Sequence, residues 1–230
     1  MASIFPKPAE EIRLLKEYLP VQGFFLDVGA NDPVVNSQTV FLEEQGWTGI
    51  LVEPQPHFAE QLRVRRKAKV VQKACGAPGD EGKRLPLTIL GTNAALYPER
   101  VGEPRDGKDS VEVELDTLDN ILTSEGVEGV DYVSMDIEGY EIEALSGFSL
   151  NRFAPKLILI EDHLFGVSKH SYLKNAGYKW VRRTQNNNWY VPVNTLFPLS
   201  LLDKFWLFRK MYVGMPFRRI KRWLRAPKPR

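Results

Sequence analysis

Glu53 closes an apolar run, Gly49 to Val52, and an earlier run, Phe24 to Val28, stops at Gly29-Ala30-Asn31-Asp32-Pro33. A carboxylate at the tip of that second run is placed to accept hydrogen bonds from two ribose hydroxyls, and an acid there favours an unphosphorylated ribose. Gly29 lets the backbone turn sharply and come close to a ligand. A dinucleotide site wants G-x-G-x-x-G, so that a pyrophosphate can sit on a helix N-terminus. Here the window from Gly29 to Val34 has only the first glycine, and Asp27 and Asp32 flank it. Carboxylates there repel a pyrophosphate and suit a cation. S-adenosylmethionine carries a sulfonium and an ammonium and no phosphate, so local charge favours it over NAD. The candidate cofactor residues are Asp27, Gly29, Ala30, Asn31, Ser37, Glu53, Pro54, Cys75 and Asp136. Asp27 and Asn31 either hold the turn or hydrogen-bond the methionine end. Ser37 and Thr39 either contact the ligand or only start the next helix. Cys75 follows the third strand and has no catalytic role, because a lone cysteine there is more often a small apolar filler.

The catalytic candidates are Asp136, Asp162 and His163. Asp136-Ile137-Glu138-Gly139 follows a further apolar run; its acids suit a helix N-terminus, or Asp136 faces the methionine moiety or an acceptor. Glu161-Asp162-His163 is the one place where a histidine adjoins acids at a strand's end. Methyl transfer from a sulfonium needs in-line approach, and a protic acceptor needs somewhere for its proton to go; positioning supplies much of the rate. A histidine near neutral pKa is a natural base, so His163 takes that role with Asp162 or Glu161 orienting it, or else is a structural loop residue. The same acids and the histidine, with Asp136, have the chemistry of a divalent-metal site, but no ligand spacing demands one and none is predicted. His57 and His170 read as structural.

These groups need a scaffold of alternating strands and helices. Helical spacing covers 9–19 and ends at Pro20. Strand Phe24–Val28, helix Ser37–Gln45, strand Ile50–Glu53 and a helix from Pro56 to about Arg66 follow. Val70 and Val71 begin a third strand that fades into Ala74-Cys75-Gly76. Residues 77–110, rich in Gly, Pro and charge, read as loop with a short strand near Leu87–Leu90. Val111–Leu115 alternates, with Asp116 or Thr117 capping a helix to Thr123. Tyr132–Met135 and Leu157–Ile160 are the fourth and fifth main strands, with helices from Tyr140 and over Ser168–Asn175. Tyr178–Arg182 and Trp189–Val193 form a hairpin across Gln185–Asn188. Such alternation implies an α/β fold with a mostly parallel sheet, covered by helices and closed by an antiparallel edge strand. Ligands bind outside the carboxyl ends of such strands, which gathers Asp27–Asp32, Glu53, Ala74–Gly76, Asp136–Gly139 and Glu161–His163 around one crevice.

DVGANDPVVNSQT, GWTGILVEP and SMDIEGYEIEAL at 134–145 resemble the FkbM-type family of class I S-adenosylmethionine-dependent methyltransferases, over roughly residues 20–195. The resemblance implies the Rossmann-like class I methyltransferase sheet and O-methylation, often of sugar or polyketide hydroxyls. It also implies that the D-P-x-x-x-S-x-T stretch lines the cofactor side of the cleft. The expected activity is therefore methyl transfer to a hydroxyl of a sugar, glycan or glycolipid. An NAD-dependent oxidoreductase or epimerase is the alternative enzyme. It lacks its second and third glycines, and no tyrosine has a lysine four residues on. A non-catalytic membrane-surface protein on the same fold is the alternative of another class.

The chain divides into a domain over 1–196 and an extension over 197–230. Its 230 residues hold one cysteine, which excludes an internal disulfide and fits a reducing compartment. The N-terminus has no apolar run of signal-peptide length and no stretch could span a membrane, so a cytoplasmic location is expected. The net charge of +2 hides an asymmetry: residues 204–230 carry ten Lys or Arg and no acid, so residues 1–203 stand at −8. Apolar and aromatic residues at 201, 202, 205, 206, 208, 212 and 213 form a stripe, and Phe217, Ile220 and Leu224 share a face. Basic amphipathic helices with Trp and Phe lie in anionic membrane interfaces. A peripheral seat on the inner face of a membrane ranks first, docking on the acidic body second, and nucleic acid last, because the aromatics sit at helical spacing.

Overall fold

The computed structural model describes residues 10–90, 93–103, 105–106 and 108–225. The ends of the expected first helix (Ala9) and of the basic tail (226–230) lie outside them. One sheet organises the chain, in the order β10-β11-β9-β8-β1-β2-β3. Its strands are β1 (Phe24–Val28), β2 (Thr48–Val52), β3 (Lys69–Val71), β8 (Tyr132–Met135), β9 (Leu157–Glu161), β10 (Tyr178–Thr184) and β11 (Asn187–Pro192). β3, β2, β1, β8 and β9 are parallel. β11 runs antiparallel to both β9 and β10. The antiparallel strand therefore lies one place in from the edge, not at it, and β10 is the edge strand. The central strands are apolar on both faces because helices cover both, as parallel sheets require. Leu26, Val28, Ile50, Val52, Val133 and Ile160 fill one core, and Phe25, Leu51, Tyr132 and Leu159 the other.

Register puts the functional ends level. Val28 pairs with Val52 and with Met135, and Met135 pairs with Ile160. The next residue on each strand is Gly29, Glu53, Asp136 and Glu161, so all four stand in one row at the carboxyl edge.

Two segments depart from the sequence expectation. The helix expected over Ser37–Gln45 is confined to α2 (Val40–Glu44). Residues before it are held by side-chain bonds instead: the Asp32 carboxylate accepts from the amides of Val34 and Val35. Residues 77–110 hold more regular structure than the expected loop with one short strand. They build β5 (Arg84–Leu90), β6 (Asn93–Ala95) and the short helix α4 (Pro98–Val101). With β4 (Ala74–Cys75) and β7 (Ser110–Asp116) they form a second sheet, ordered β4-β7-β5-β6. Pro86 disguises β5 in the sequence. It is tolerated because β6 pairs only with Thr88–Leu90, leaving one side of β5 open at Pro86.

The remaining helices are α1 (Glu11–Tyr18), α3 (Pro56–Arg65), α5 (Leu118–Ser124), α6 (Glu141–Ser146), α7 (Leu150–Phe153) and α8 (Ser168–Asn175). Thr117 caps α5, its side chain accepting from the Asn120 amide. The extension forms α9 (Leu201–Phe208), a π-turn over Arg209–Val213 and α10 (Gly214–Arg225). A reciprocal Ser200–Asp203 capping box starts α9. Leu207 and Met211 are buried in the main core, so part of the extension's packing on the body falls to two residues that the expected stripe did not include. Among the described residues, no helix is long and apolar enough to cross a membrane.

Candidate active site

A cleft of about 580 Å³ opens at the carboxyl edge of the main sheet. It is lined by Asp27, Gly29, Ala30, Asn31, Ser37, Glu53, Pro54, Cys75 and Asp136, so every residue proposed for cofactor contact faces it. The second sheet adds Leu87, Asn93, Ala94 and Leu96, and the β10–β11 turn adds Gln185 and Asn186.

The β1 turn is built around one close approach. Gly29 has φ +84°, and a Cβ there would lie 2.0 Å from the Asp136 carbonyl oxygen. The positive φ disfavours any side chain, and main chain cannot step aside. Gly29→Ala is therefore expected to lower stability by roughly 2 kcal/mol or more, measured by denaturant unfolding; an unchanged midpoint would contradict that geometry.

Glu53 ties this turn to β2. One carboxylate oxygen accepts from the Asn31 amide and the other from the Gln55 amide, each at 2.8 Å. Burial raises its pKa to about 7, the two backbone bonds and the Gln55 side chain pulling down and the Asp27 charge pushing further up. Asp27 is buried beneath the turn, accepts from the Thr39 hydroxyl at 2.6 Å, and is raised to about 6, chiefly by burial. Both acids hold protons in the folded state that the unfolded chain has already released. The unfolded state binds fewer protons between about pH 4 and pH 7, so stability falls as pH rises through that window. Melting temperature should decline from pH 4.5 to 7 in the ligand-free protein, and Glu53→Gln should flatten the slope; a slope unchanged by the substitution would contradict the assignment.

The loop ahead of α2 hangs on a residue that sequence reasoning passed over. Arg66, buried at the end of α3, reaches the Pro33 carbonyl (3.2 Å), the Ser37 hydroxyl (3.1 Å) and the Thr39 hydroxyl (2.9 Å). Its charge is matched by buried Glu43 at 3.0 Å, which also accepts from the Lys67 and Ala68 amides. Ser37 and Thr39 thus belong to this network as well as to the region of the cleft. In the sequence Arg66 is one of several basic residues in RVRRKAK, and nothing there marks it.

The Asp136 side chain is exposed to the cleft, while protein atoms crowd its carboxyl from behind. Burial, the neighbouring Glu161 charge, a hydrogen bond with Glu161, and then Glu138 and Glu141 raise its pKa well above the carboxylate range. Glu138 is raised by burial and the same neighbours. Asp136, Glu138 and Glu161 bring carboxylate oxygens within 4.8 Å of one another, the oxygen-rich chemistry that hard divalent cations accept. Cys75 is buried, and desolvation pushes its thiol up, so it is packing rather than a nucleophile.

Two of the three proposed catalytic residues are not brought into this cleft. Asp162 is buried on the far side of the strand end, accepting from the Leu164 amide at 2.8 Å and the Asn188 side chain at 3.4 Å. His163 lies beyond β9 with its side chain 44% exposed, 3.9 Å from Glu161 and beside Phe165. The strand end turns between Glu161 and His163, so Glu161 takes the place in the cleft that sequence reasoning gave to the histidine.

The six carboxylates of the lining, from Asp27, Asp32, Glu53, Asp136, Glu138 and Glu161, face one ammonium, Lys73. Lys73 is itself paired with Asp116 and Glu114 at 2.8 and 3.0 Å. The family model described as "Methyltransferase FkbM domain" matches residues 27–180, spanning the turn, the acids and the row of strand ends. The chain belongs to the FkbM methyltransferase domain family. The FkbM domain here shares its fold with a crystal structure of methyltransferase FkbM from Methylobacillus flagellatus KT, with a TM-score of 0.53 and 15% identity over 80% of this chain and 48% of that one. The chain thus spans about half the length of that protein. A weaker likeness, TM-score 0.40 at 12% identity over 79% of this chain and 84% of that one, joins it to a TehB-like SAM-dependent methyltransferase from Corynebacterium glutamicum ATCC 13032 Kitasato. No curated protein matches the sequence.

Proposed function

We propose that this FkbM domain transfers a methyl group from S-adenosylmethionine to a hydroxyl of a sugar, glycan or glycolipid. The observation that carries the reading is the acid-rich lining: six carboxyl groups against one paired ammonium. Burial and mutual repulsion keep several of them protonated to higher pH than free carboxylates, a repulsion that a bound cation relieves and a pyrophosphate worsens. A dinucleotide would bring its pyrophosphate into that field, whereas a sulfonium and an ammonium are attracted by it. The lining therefore fits the cofactor that the family uses and disfavours NAD.

S-adenosylmethionine, when bound, supplies an electrophilic methyl group on a cationic sulfur. The chain's own residues do the rest. Glu53 offers its remaining lone pairs to the ribose hydroxyls. The Gly29–Asn31 turn would hold the methionine end, with Asp27 beneath it, and Cys75 and Pro54 would wall the adenine side. Burial and the neighbouring Glu161 charge keep Asp136 protonated to higher pH than a free carboxylate. In its ionised form Asp136, beside Glu161, would accept the proton of the acceptor hydroxyl as the oxygen bonds to the methyl carbon and the methyl–sulfur bond breaks, leaving S-adenosylhomocysteine. Positioning supplies the larger part of the rate, and the base contributes a further 10²–10⁴-fold in typical cases.

The test is transfer of labelled methyl to a panel of free sugars, glycans and lipid-linked glycans. Methyl ether product on a hydroxyl supports the proposal; labelling confined to nitrogen or carbon sites would refute the O-methyl reading. In the same assay His163→Ala should keep turnover within about threefold, since a missing general base costs roughly 10²-fold or more. A loss of that size would return the role to His163.

A further inference from the structure

α10 is docked by its basic side. Arg218 donates to the Leu164 carbonyl at 3.1 Å, Arg219 to Phe165 at 2.6 Å and Arg222 to Arg100 at 2.6 Å. The opposite face carries Phe217, Ile220, Trp223 and Leu224, each between 56% and 75% exposed. Phe205 and Phe208 on α9 are both 55% exposed. A helix that packs on a body for stability buries its apolar face. Here the polar face is spent on main-chain carbonyls and the apolar face is left outward, rimmed by exposed Lys204, Arg209 and Lys221.

Between β10 and these helices lies a pocket of about 630 Å³, with Arg183, Arg209, Lys210 and Arg218 among its walls, closed on the apolar side by Trp206 and Phe217. No acid lines it. Arg183 is buried, held by the Asn188 side chain at 2.7 Å, and among the described residues its Nε has no hydrogen-bond partner. Gln185 lines both this pocket and the acidic cleft, so the two sites share a wall.

We propose that the α9–α10 face lies on an anionic lipid surface, with the phosphate of one lipid seated in the four-cation pocket. Charge complementarity selects this occupant: guanidinium groups match phosphate geometry, and Trp and Phe beside them belong at the acyl boundary. The methyl-transfer cleft then opens next to the lipid headgroups. Vesicle binding is read without cofactor or acceptor, so it holds or fails independently of the methyl-transfer reading.

The full chain should co-sediment, at about 0.15 M salt, with vesicles of phosphatidylcholine plus phosphatidylglycerol and not with phosphatidylcholine alone. The triple variant Phe217→Ser, Ile220→Ser, Trp223→Ser, altered only at exposed side chains, should lose roughly a hundredfold in affinity or more. Arg209→Ser with Lys210→Ser should lose roughly thirtyfold, and several-fold more than Lys204→Ser with Lys221→Ser, which removes the same charge outside the pocket. Equal losses from the two pairs would overturn the phosphate seat. Absent vesicle binding would overturn the whole proposal. So would a dimer held by the apolar face in place of vesicle binding, thermal stabilisation by inorganic phosphate without it, or tighter binding to RNA than to vesicles.

Discussion

Asp136→Asn should lower turnover by roughly 10²–10⁴-fold while changing affinity for S-adenosylhomocysteine far less. The expectation follows from the place of Asp136 one residue past β8, level with Gly29, Glu53 and Glu161. Its carboxyl is raised first by burial and next by Glu161. A base must be ionised to accept a proton, so wild-type turnover should rise with pH through that elevated pKa. Glu161→Gln removes the nearest repelling charge and keeps a hydrogen-bonding group, so the rising limb should move to lower pH. Steady-state kinetics across pH 5 to 9 would check both. A profile unmoved by Glu161→Gln, with full turnover in Asp136→Asn, would leave the reaction to positioning alone.

Arg66→Ala should be the most destabilising single change outside the apolar cores. Removing one partner of a buried pair costs about 3–5 kcal/mol, and the whole fold is worth only about 5–15 kcal/mol. Here the change strands the Glu43 carboxylate and frees the 33–39 loop from three hydrogen bonds. For a chain of this size the melting temperature should fall by roughly 10 °C. Arg66→Met with Glu43→Gln should recover much of that loss by removing the stranded charge and keeping an acceptor for the Lys67 and Ala68 amides. It should not recover cofactor affinity, because Ser37 and Thr39 remain untethered. Recovery of both would show that the loop does not need the guanidinium.

The β1 turn, α2 and β2 were legible in the sequence because they are local. An apolar run, a glycine, a short helix and an acid on the next strand tip occupy 30 residues, and parallel register alone then sets Glu53 beside Gly29. The second sheet was hidden because its strands earn their burial from each other across distance, and Pro86 breaks the local strand signal. Glu161-Asp162-His163 showed the limit of reading a strand end: neighbours alternate faces, and the last paired residue is fixed by β11, through the Asn187–Glu161 register. The tail's spacing announced amphipathic helices correctly. Which face docks was decided by carbonyls at Leu164, Phe165 and Arg100, far away in sequence, and those took the arginines.

If the acidic cleft holds S-adenosylmethionine through Glu53, calorimetric titration will register it. Wild-type protein should bind S-adenosylmethionine and S-adenosylhomocysteine and give no heat with NAD. Glu53→Ala should weaken both by at least tenfold, since each hydrogen bond to a charged group contributes about 1.5–3 kcal/mol. Binding of NAD, or S-adenosylhomocysteine affinity unchanged in Glu53→Ala, would contradict the account.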